Sequence, residues 1–513
     1  MKTKNANLFA ALRAAFPADL DAVAIECADG EGLSYSWRDL ERGTAMLANL
    51  LGSLELPPGS RVAVQTEKSV EALMLYLAVL RAGYVYLPLN TAYQAAELEY
   101  FIANAEPAVV VCTGKQFGWV SKLAFQAGVS YVFSLNEDRT GTLLDRASQM
   151  SDKHEPAAKR ANELAAILYT SGTTGRSKGA MLSHGNMLSN ALTLKDYWGW
   201  QADDVLIHAL PIFHVHGLFV ASHGALLNGS KMLWFNGKFE PKAVIARFAE
   251  ATVFMGVPTL YVRMLAEAAL DREACRHMRL FISGSAPLLL ETFRDWQTRT
   301  GHTILERYGM SETIMLTSNP YFPDEGERVG GTVGQALPGV GVRVHSDAGE
   351  LCAVDEIGNI EVKGPNVFAG YWRMPEKTKE EFTADGWFKT GDVGKQDSRG
   401  YLHIVGRSKD LIISGGYNVY PAEIEGYLND MPGVAESAVV GVPHPDFGEG
   451  VIAVVVPKPG AQLEPAALIG ELKRMIANFK VPKQLYLVNE LPRNTMGKVQ
   501  KNLLREQHKG LFA

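Results

Sequence analysis

The sequence predicts an α/β protein in two parts: a large N-terminal domain of layered α/β subdomains and a small C-terminal α+β domain. Three observations carry this expectation. The chain has 513 residues, more than one hydrophobic core usually organises. Strand-like apolar runs alternate with helical stretches through most of it, a pattern that layers helices on a largely parallel sheet. After about residue 405 two longer apolar runs and one helix form a compact unit of roughly 100 residues, within the usual domain range.

The elements follow in order. Arg61–Gln65 (RVAVQ) reads as a strand, Ser69–Arg81 as a helix closed by Gly83, and Val85–Leu87 as another short strand before Pro88. AVVVC at 108–112 is a continuous apolar run of the kind buried in parallel sheets. Farther on, SAVVGVP (Ser437–Pro443) and GVIAVVVP (Gly450–Pro457) read as strands and Pro465–Phe479 as a helix, followed by a polar tail. The charged GRSKD segment, Gly406–Asp410, is the expected junction, dividing the chain into 1–406 and 407–513. Neither a repeat of solenoid period nor a low-complexity tract is present.

Composition narrows the function. A net charge of −6 offers no broad basic surface for nucleic acid. Cys27, Cys112, Cys275 and Cys352 lie far apart without a CxxC pair, which suits reduced thiols of a cytoplasmic enzyme better than a disulfide frame or zinc site. No run of about 18 uncharged apolar residues appears, so no membrane span is expected. Lys2, Lys4 and Arg13 faintly suggest a transit peptide. Leu8, Leu12 and Phe16 instead read as a first surface helix.

The strongest chemical signal is Tyr169–Gly179, YTSGTTGRSKG. Ile167 and Leu168 before it suggest that it leaves a strand. Thr170, Ser171, Gly172, Thr173, Thr174 and Gly175 offer the backbone N–H groups and hydroxyls that a polyphosphate needs. Lys178 adds positive charge. The Walker spacing GxxxxGK[ST] fails here, because no Ser or Thr follows the lysine.

This segment resembles the signature of the adenylate-forming enzymes, which include acyl-CoA synthetases, luciferases and peptide-synthetase adenylation domains. ERYGMSET (Glu306–Thr313), YWRMPEKT (Tyr371–Thr378), TGD (Thr390–Asp392), GRSKDLIISGGYNVYPAEIE (Gly406–Glu425) and PRNTMGKVQK (Pro492–Lys501) follow in the family's order. The resemblance implies ATP and coenzyme A as co-substrates and Mg²⁺ as the metal. A carboxylic acid would be activated as an acyl-adenylate and passed to coenzyme A.

Roles follow residue by residue. Lys498 would bridge the acyl carboxylate and the nucleotide during adenylation. Its PxxxxGK context also resembles sites of lysine acetylation, which makes a lysine acetyltransferase an expected partner. Glu312, aided by Thr170, would hold Mg²⁺. Tyr308 would pack on adenine beside Glu306, with Ser285, Ala286 and Pro287 lining the other side. Asp392 would take the ribose hydroxyls, supported by Arg407. Lys409 would be the hinge about which the small domain turns, bringing Gly415 and Gly416 against the pantetheine arm.

The acid pocket is expected from His214, Val215, Arg263, Ser283, Arg307 and Met310. Two arginines are foreign to a pocket for fatty or aromatic acids, because an unpaired buried charge is expensive. A second carboxylate on the substrate explains them. The combination of IxHxHG, VPTxYxR and ERYGM resembles malonyl-CoA synthetases. Val215 departs from the small polar residue expected between the histidines and leaves room for a 2-alkyl group, as in methylmalonate. Other readings are a synthetase for a short- or medium-chain monocarboxylic acid, or an adenylation module loading a separate carrier protein. A luciferase-type site would require a large aromatic acid, which the arginines disfavour.

Overall fold

The computed structural model describes residues 5–30, 32–170, 177–415, 417–494 and 497–512. Two large sheets build the N-terminal part. The first has six strands, in the order Tyr131–Ser134, Val109–Cys112, Arg61–Gln65, Val85–Pro88, Leu164–Thr170 and Lys178–Ser183. All its pairs are parallel except the last. That antiparallel pair flanks the YTSGTTGRSKG segment. The second has nine strands, with Leu305–Met310, Leu280–Ser283, Val253–Gly256, Val205–His208, Lys231–Trp234 and Val23–Cys27 running parallel through its middle.

The helix Val70–Arg81 shows why the layers form. Every one of its residues is buried, as expected of a helix that is apolar all round. One continuous core runs from Val62 and Val64 through this helix to Ile25, Leu206 and Met232 of the other sheet. Each large apolar side chain buried there contributes roughly 1.5–3 kcal/mol. Ser69 caps the helix by accepting the Ala72 N–H at 3.1 Å, a bond whose loss costs about 0.5–2 kcal/mol. Arg81 ends it fully buried, its guanidinium donating to Glu41 Oε1, the Glu41 carbonyl and Thr44 Oγ1.

A four-stranded antiparallel sheet follows, Gly341–His345, Gly358–Lys363, Phe388–Gln396 and Leu402–Arg407. The turn Ser408–Asp410 leads from it into the last sheet, where Val434–His444 pairs with Gly448–Pro457. Layered α/β architecture with a small C-terminal α+β unit is therefore what the chain adopts.

Three local expectations change. The first helix, Leu8–Ala14, is docked, with Leu8, Phe9 and Leu12 fully buried. The helix expected to reach Phe479 ends at Met475, where Ile476 turns extended. The expected polar tail contains a strand, Gln484–Leu487, and a helix, Lys501–His508, anchored by buried Leu504. Among the described residues no helix is long and apolar enough to cross a membrane.

Candidate active site

The site grows from one hairpin. Leu305–Met310 is the last parallel strand of the nine-stranded sheet, and the chain reverses into Ile314–Ser318, antiparallel to it. Gly309 makes the reversal possible: a Cβ there would stand 1.8 Å from the Ile314 carbonyl oxygen. Ile314 itself takes a φ of 57°, uncommon for a β-branched residue. The hairpin thereby brings Glu306, Arg307, Tyr308, Met310 and Glu312 within seven residues at one end of the sheet.

Arg307 is 3% exposed, and its Nε and Nη2 have no hydrogen-bond partner among the described residues. Its guanidinium lies against Gly284, where a Cβ would fall 2.4 Å from Cζ and Nη1. Burial pushes it down to about 9. Ser283 Oγ and His216 Nε2 are also buried without partners. His214 is pushed down to about 4 by burial and by the charges of Arg307 and Lys498, so its imidazole is neutral near pH 7. Val215, 3% exposed, stands beside it at the start of the π-helix His216–Ala221. Buried donors with nothing to bind are costly unless an acceptor arrives. The described groups therefore suit an anion.

Arg263 does not share that position. It sits on the helix Pro258–Leu265, donates from Nη2 to the Phe239 carbonyl at 2.7 Å, and lies 5.1 Å from the Phe239 ring centroid. The same helix turns Tyr261 inward instead, and its hydroxyl donates to the Ile282 carbonyl at 2.7 Å.

On the nucleotide side, Asp392 is 3% exposed and accepts from Arg407 Nε at 2.7 Å and from the Tyr308 hydroxyl. The tyrosine expected against adenine is thus tethered to the aspartate expected on ribose. Glu306 takes backbone N–H bonds from Gly331 and Leu288, yet burial pushes its carboxyl up to about 8. Ser285 adopts a φ of 72° just past the strand Leu280–Ser283, a strained state of the kind that gathers at functional sites. Ala286 and Pro287 continue that loop.

On the phosphate side, Thr170 ends one strand and Lys178 begins the next, with Thr170 Oγ1 donating to the Lys178 carbonyl at 3.4 Å. Ser171, Gly172, Thr173, Thr174 and Gly175 lie outside the described residues, as does Gly416. Glu312 is 5% exposed and accepts the Tyr371 hydroxyl at 2.9 Å. Burial raises its carboxyl above the ordinary value. Among the described residues no cluster of three or more His, Cys, Asp or Glu could chelate a metal. One buried carboxylate fits Mg²⁺, which keeps waters and substrate phosphates in its shell.

Lys498 comes from the C-terminal part. Its turn is closed by Asn494, whose N–H donates to the Lys498 carbonyl and whose Oδ1 accepts the Lys498 N–H, both at 2.9 Å. Gly497, at φ 74°, rests against Thr259, where a Cβ would lie 3.1 Å from Oγ1. The ammonium reaches solvent but is hemmed in by the cleft. Lost hydration and the charge of Arg407 push it below the ordinary lysine value, against the pull of Asp392 and Asp410. Lys409 is pushed down to about 8 by burial, with Arg407 and Lys498 adding to the effect. Gly415, at φ 60°, turns the hairpin between Ile412–Ser414 and Tyr417–Val419.

Lys498 feels the charges of Arg407 and Asp392, and His214 those of Arg307 and Lys498, so these groups of the expected site lie near one another. The contact of Tyr371 with Glu312 was not expected, although Tyr371 opens a motif already noted.

Comparison with known proteins gives the family. Residues 12–372 match the AMP-binding enzyme family, and residues 423–498 match the AMP-binding enzyme C-terminal domain. The chain belongs to the AMP-binding enzymes. A malonate–CoA ligase of Arabidopsis thaliana is 33% identical, over 95% of this chain and 86% of that one. The ATP-bound crystal structure of MatB from Rhodopseudomonas palustris is 55% identical, covering 99% of this chain and 100% of that one, with a TM-score of 0.96. The apo form of the same MatB, at the same identity and coverage, gives 0.85. This chain is thus arranged more like the ATP-bound form.

Proposed function

We propose that the protein ligates malonate to coenzyme A in two ATP-dependent half-reactions, releasing AMP and pyrophosphate. In the first, a carboxylate oxygen of malonate attacks the α-phosphorus of ATP. The bond from that phosphorus to the bridging oxygen breaks, and pyrophosphate leaves with the electron pair. Lys498 sits between the two anions and offsets their repulsion. Stabilisation of charge by a preorganised site usually contributes more to catalysis than any other single effect. Asp392, Arg407 and Tyr308 hold the nucleoside, while Thr170 and Lys178 face the phosphates. Glu312 would hold Mg²⁺, which would supply positive charge against the phosphates. In the second half-reaction the sulfur of coenzyme A attacks the acyl carbon, AMP leaves with the electron pair, and the thiol proton passes to solvent. Residues 407–513 turn about Lys409 between the steps, withdrawing Lys498 and presenting Gly415. Malonyl-CoA is the product, and methylmalonate is a second substrate admitted beside Val215. The enzyme works in the cytoplasm, and acetylation of Lys498 would switch adenylation off by removing its charge.

The observation that carries the choice of acid is the buried guanidinium of Arg307, whose Nε and Nη2 have no partner among the described residues. A distal carboxylate satisfies it; a methyl group does not. The test is acid-dependent AMP release with ATP, coenzyme A and a panel of mono- and dicarboxylates, repeated with Arg307→Ala. Orphaning a buried carboxylate costs roughly 3–5 kcal/mol. The variant should therefore lose about two to three orders of magnitude in kcat/KM for malonate. Propionate should lose little. Wild-type preference for butyrate over malonate would sink the dicarboxylate reading.

A further inference from the structure

The YWRMPEKT motif has so far no role beyond family likeness, and the structure shows it as a brace beside the phosphate loop. Residues 369–372 lie along the strand Lys178–Ser183: Met181 N–H donates to the Gly370 carbonyl at 3.0 Å and Trp372 N–H to the Gly179 carbonyl at 2.7 Å. Thr378 accepts the Tyr371 N–H at 2.9 Å, which folds the helix Pro375–Glu381 back over the same strand. That helix ends on Glu381, whose Oε1 lies 3.2 Å from Lys178 Nζ. The same ammonium stands 4.3 Å from the centroid of the Tyr371 ring, while the Tyr371 hydroxyl holds Glu312. Lys178 is therefore paired with a carboxylate while it lies over the ring of the tyrosine that bonds Glu312. Glu381 Oε1 is itself shared with Lys377 Nζ, also at 3.2 Å. Side-chain exposures of 20% for Lys178 and 22% for Glu381 leave the pair in partial contact with water, so it can open without stranding a buried charge.

We propose that Glu381 is a positioning residue that parks Lys178, competing with the polyphosphate for its ammonium and so easing the departure of pyrophosphate. This rests on the reading that Lys178 meets the phosphates. When pyrophosphate occupies the site, Lys178 swings across the Tyr371 ring towards it. When pyrophosphate loosens, Glu381 recaptures the ammonium, and the product leaves against a competitor already in place. An anion that must first displace Glu381 binds with an affinity reduced by the fraction of Lys178 that is unparked.

The experiment is product inhibition of adenylate formation by inorganic pyrophosphate at fixed Mg²⁺, with the KM for ATP and the Tm of each variant. Glu381→Gln should tighten pyrophosphate inhibition about two- to fivefold, with a parallel fall in the KM for ATP. Lys377→Gln should act in the opposite sense, because Glu381 is then left to Lys178 alone. In a Lys178→Ala background, Glu381→Gln should change nothing. An equal effect of Glu381→Gln with and without Lys178 would mean that the carboxylate merely repels phosphate, and would overturn the proposal. Unchanged inhibition in Glu381→Gln would overturn it too. Lys178→Ala that leaves both the KM for ATP and pyrophosphate inhibition unaltered would instead remove Lys178 from the phosphates altogether, a separate failure.

Discussion

Arg307 and Lys498, both near His214, are mounted in opposite ways. Arg307 lies on the last parallel strand of the nine-stranded sheet, 3% exposed and wedged against the Gly284 backbone. Its place is fixed by the same packing that holds the sheet together. Lys498 is carried on a tight turn of the C-terminal part that touches the N-terminal part through Gly497 and Thr259. The first arrangement suits a group that selects a substrate, since selection needs a constant shape. The second suits a group needed for one step and in the way of the next.

The largest expected effect tests the cation on the C-terminal turn. Lys498→Ala should lower adenylate formation by about 10²–10³-fold, as removal of one preorganised charge-stabilising group does elsewhere. Thioester formation from supplied malonyl-adenylate should keep most of its rate. Equal loss of both half-reactions would erase the contrast with Arg307, because a fixed residue would show that pattern.

A second prediction probes the fixed frame. Burial holds His184 and His214 down to about 4 and His223 down to about 3, below the ordinary histidine value of about 6.5. These groups are neutral in the folded state. Their contribution to stability is therefore complete above pH 6.5 or so and is lost as the pH falls towards 4. For His184, which is fully buried, this amounts to roughly 3 kcal/mol. All eight tryptophans precede residue 407, so selectively excited tryptophan fluorescence follows the N-terminal part. Its acid transition should fall inside that window. A signal flat to pH 4 would contradict the assignment.

The smallest effect belongs to Arg263→Ala. With its guanidinium on the Phe239 carbonyl, the loss should be about 0.5–1.5 kcal/mol of stability. The malonate-to-propionate preference should shift less than about threefold. A loss of malonate selectivity like that expected for Arg307→Ala would place Arg263 on the substrate after all.

The difference between these arginines marks where sequence reading stops. Both sit in recognisable motifs, and both are the same chemical anomaly. Which way each points depends on tertiary packing. On the helix Pro258–Leu265, Tyr261 and Met264 lie three residues apart and are buried, Val262 is exposed, and Arg263 falls between the two faces. Helical periodicity leaves such a flank position undecided. Arg307 is settled by its sheet, which no local pattern reveals. The helix Val70–Arg81 was legible almost to the residue, because a cap, an apolar run and Gly83 all agree. The strand Gln484–Leu487 was not, because it pairs with Gly448–Pro457, far back in the chain. Glu381 was invisible for the same reason: its partner Lys178 is some two hundred residues away.

The hairpin at Gly309 also has a consequence for anyone redesigning the enzyme. Arg307, proposed to meet the acid, and Glu312, proposed to hold the metal, are separated by a single reversal that tolerates no Cβ at Gly309. Substitutions that shift the strand Leu305–Met310 to admit a larger acid would drag the metal carboxylate with it, trading selectivity against turnover. The segment around His214 and Val215 lies in a different element, opening a π-helix whose Gly217 carbonyl is held by His208 and Ser222. Libraries aimed at new acids should start from that wall and leave the hairpin alone.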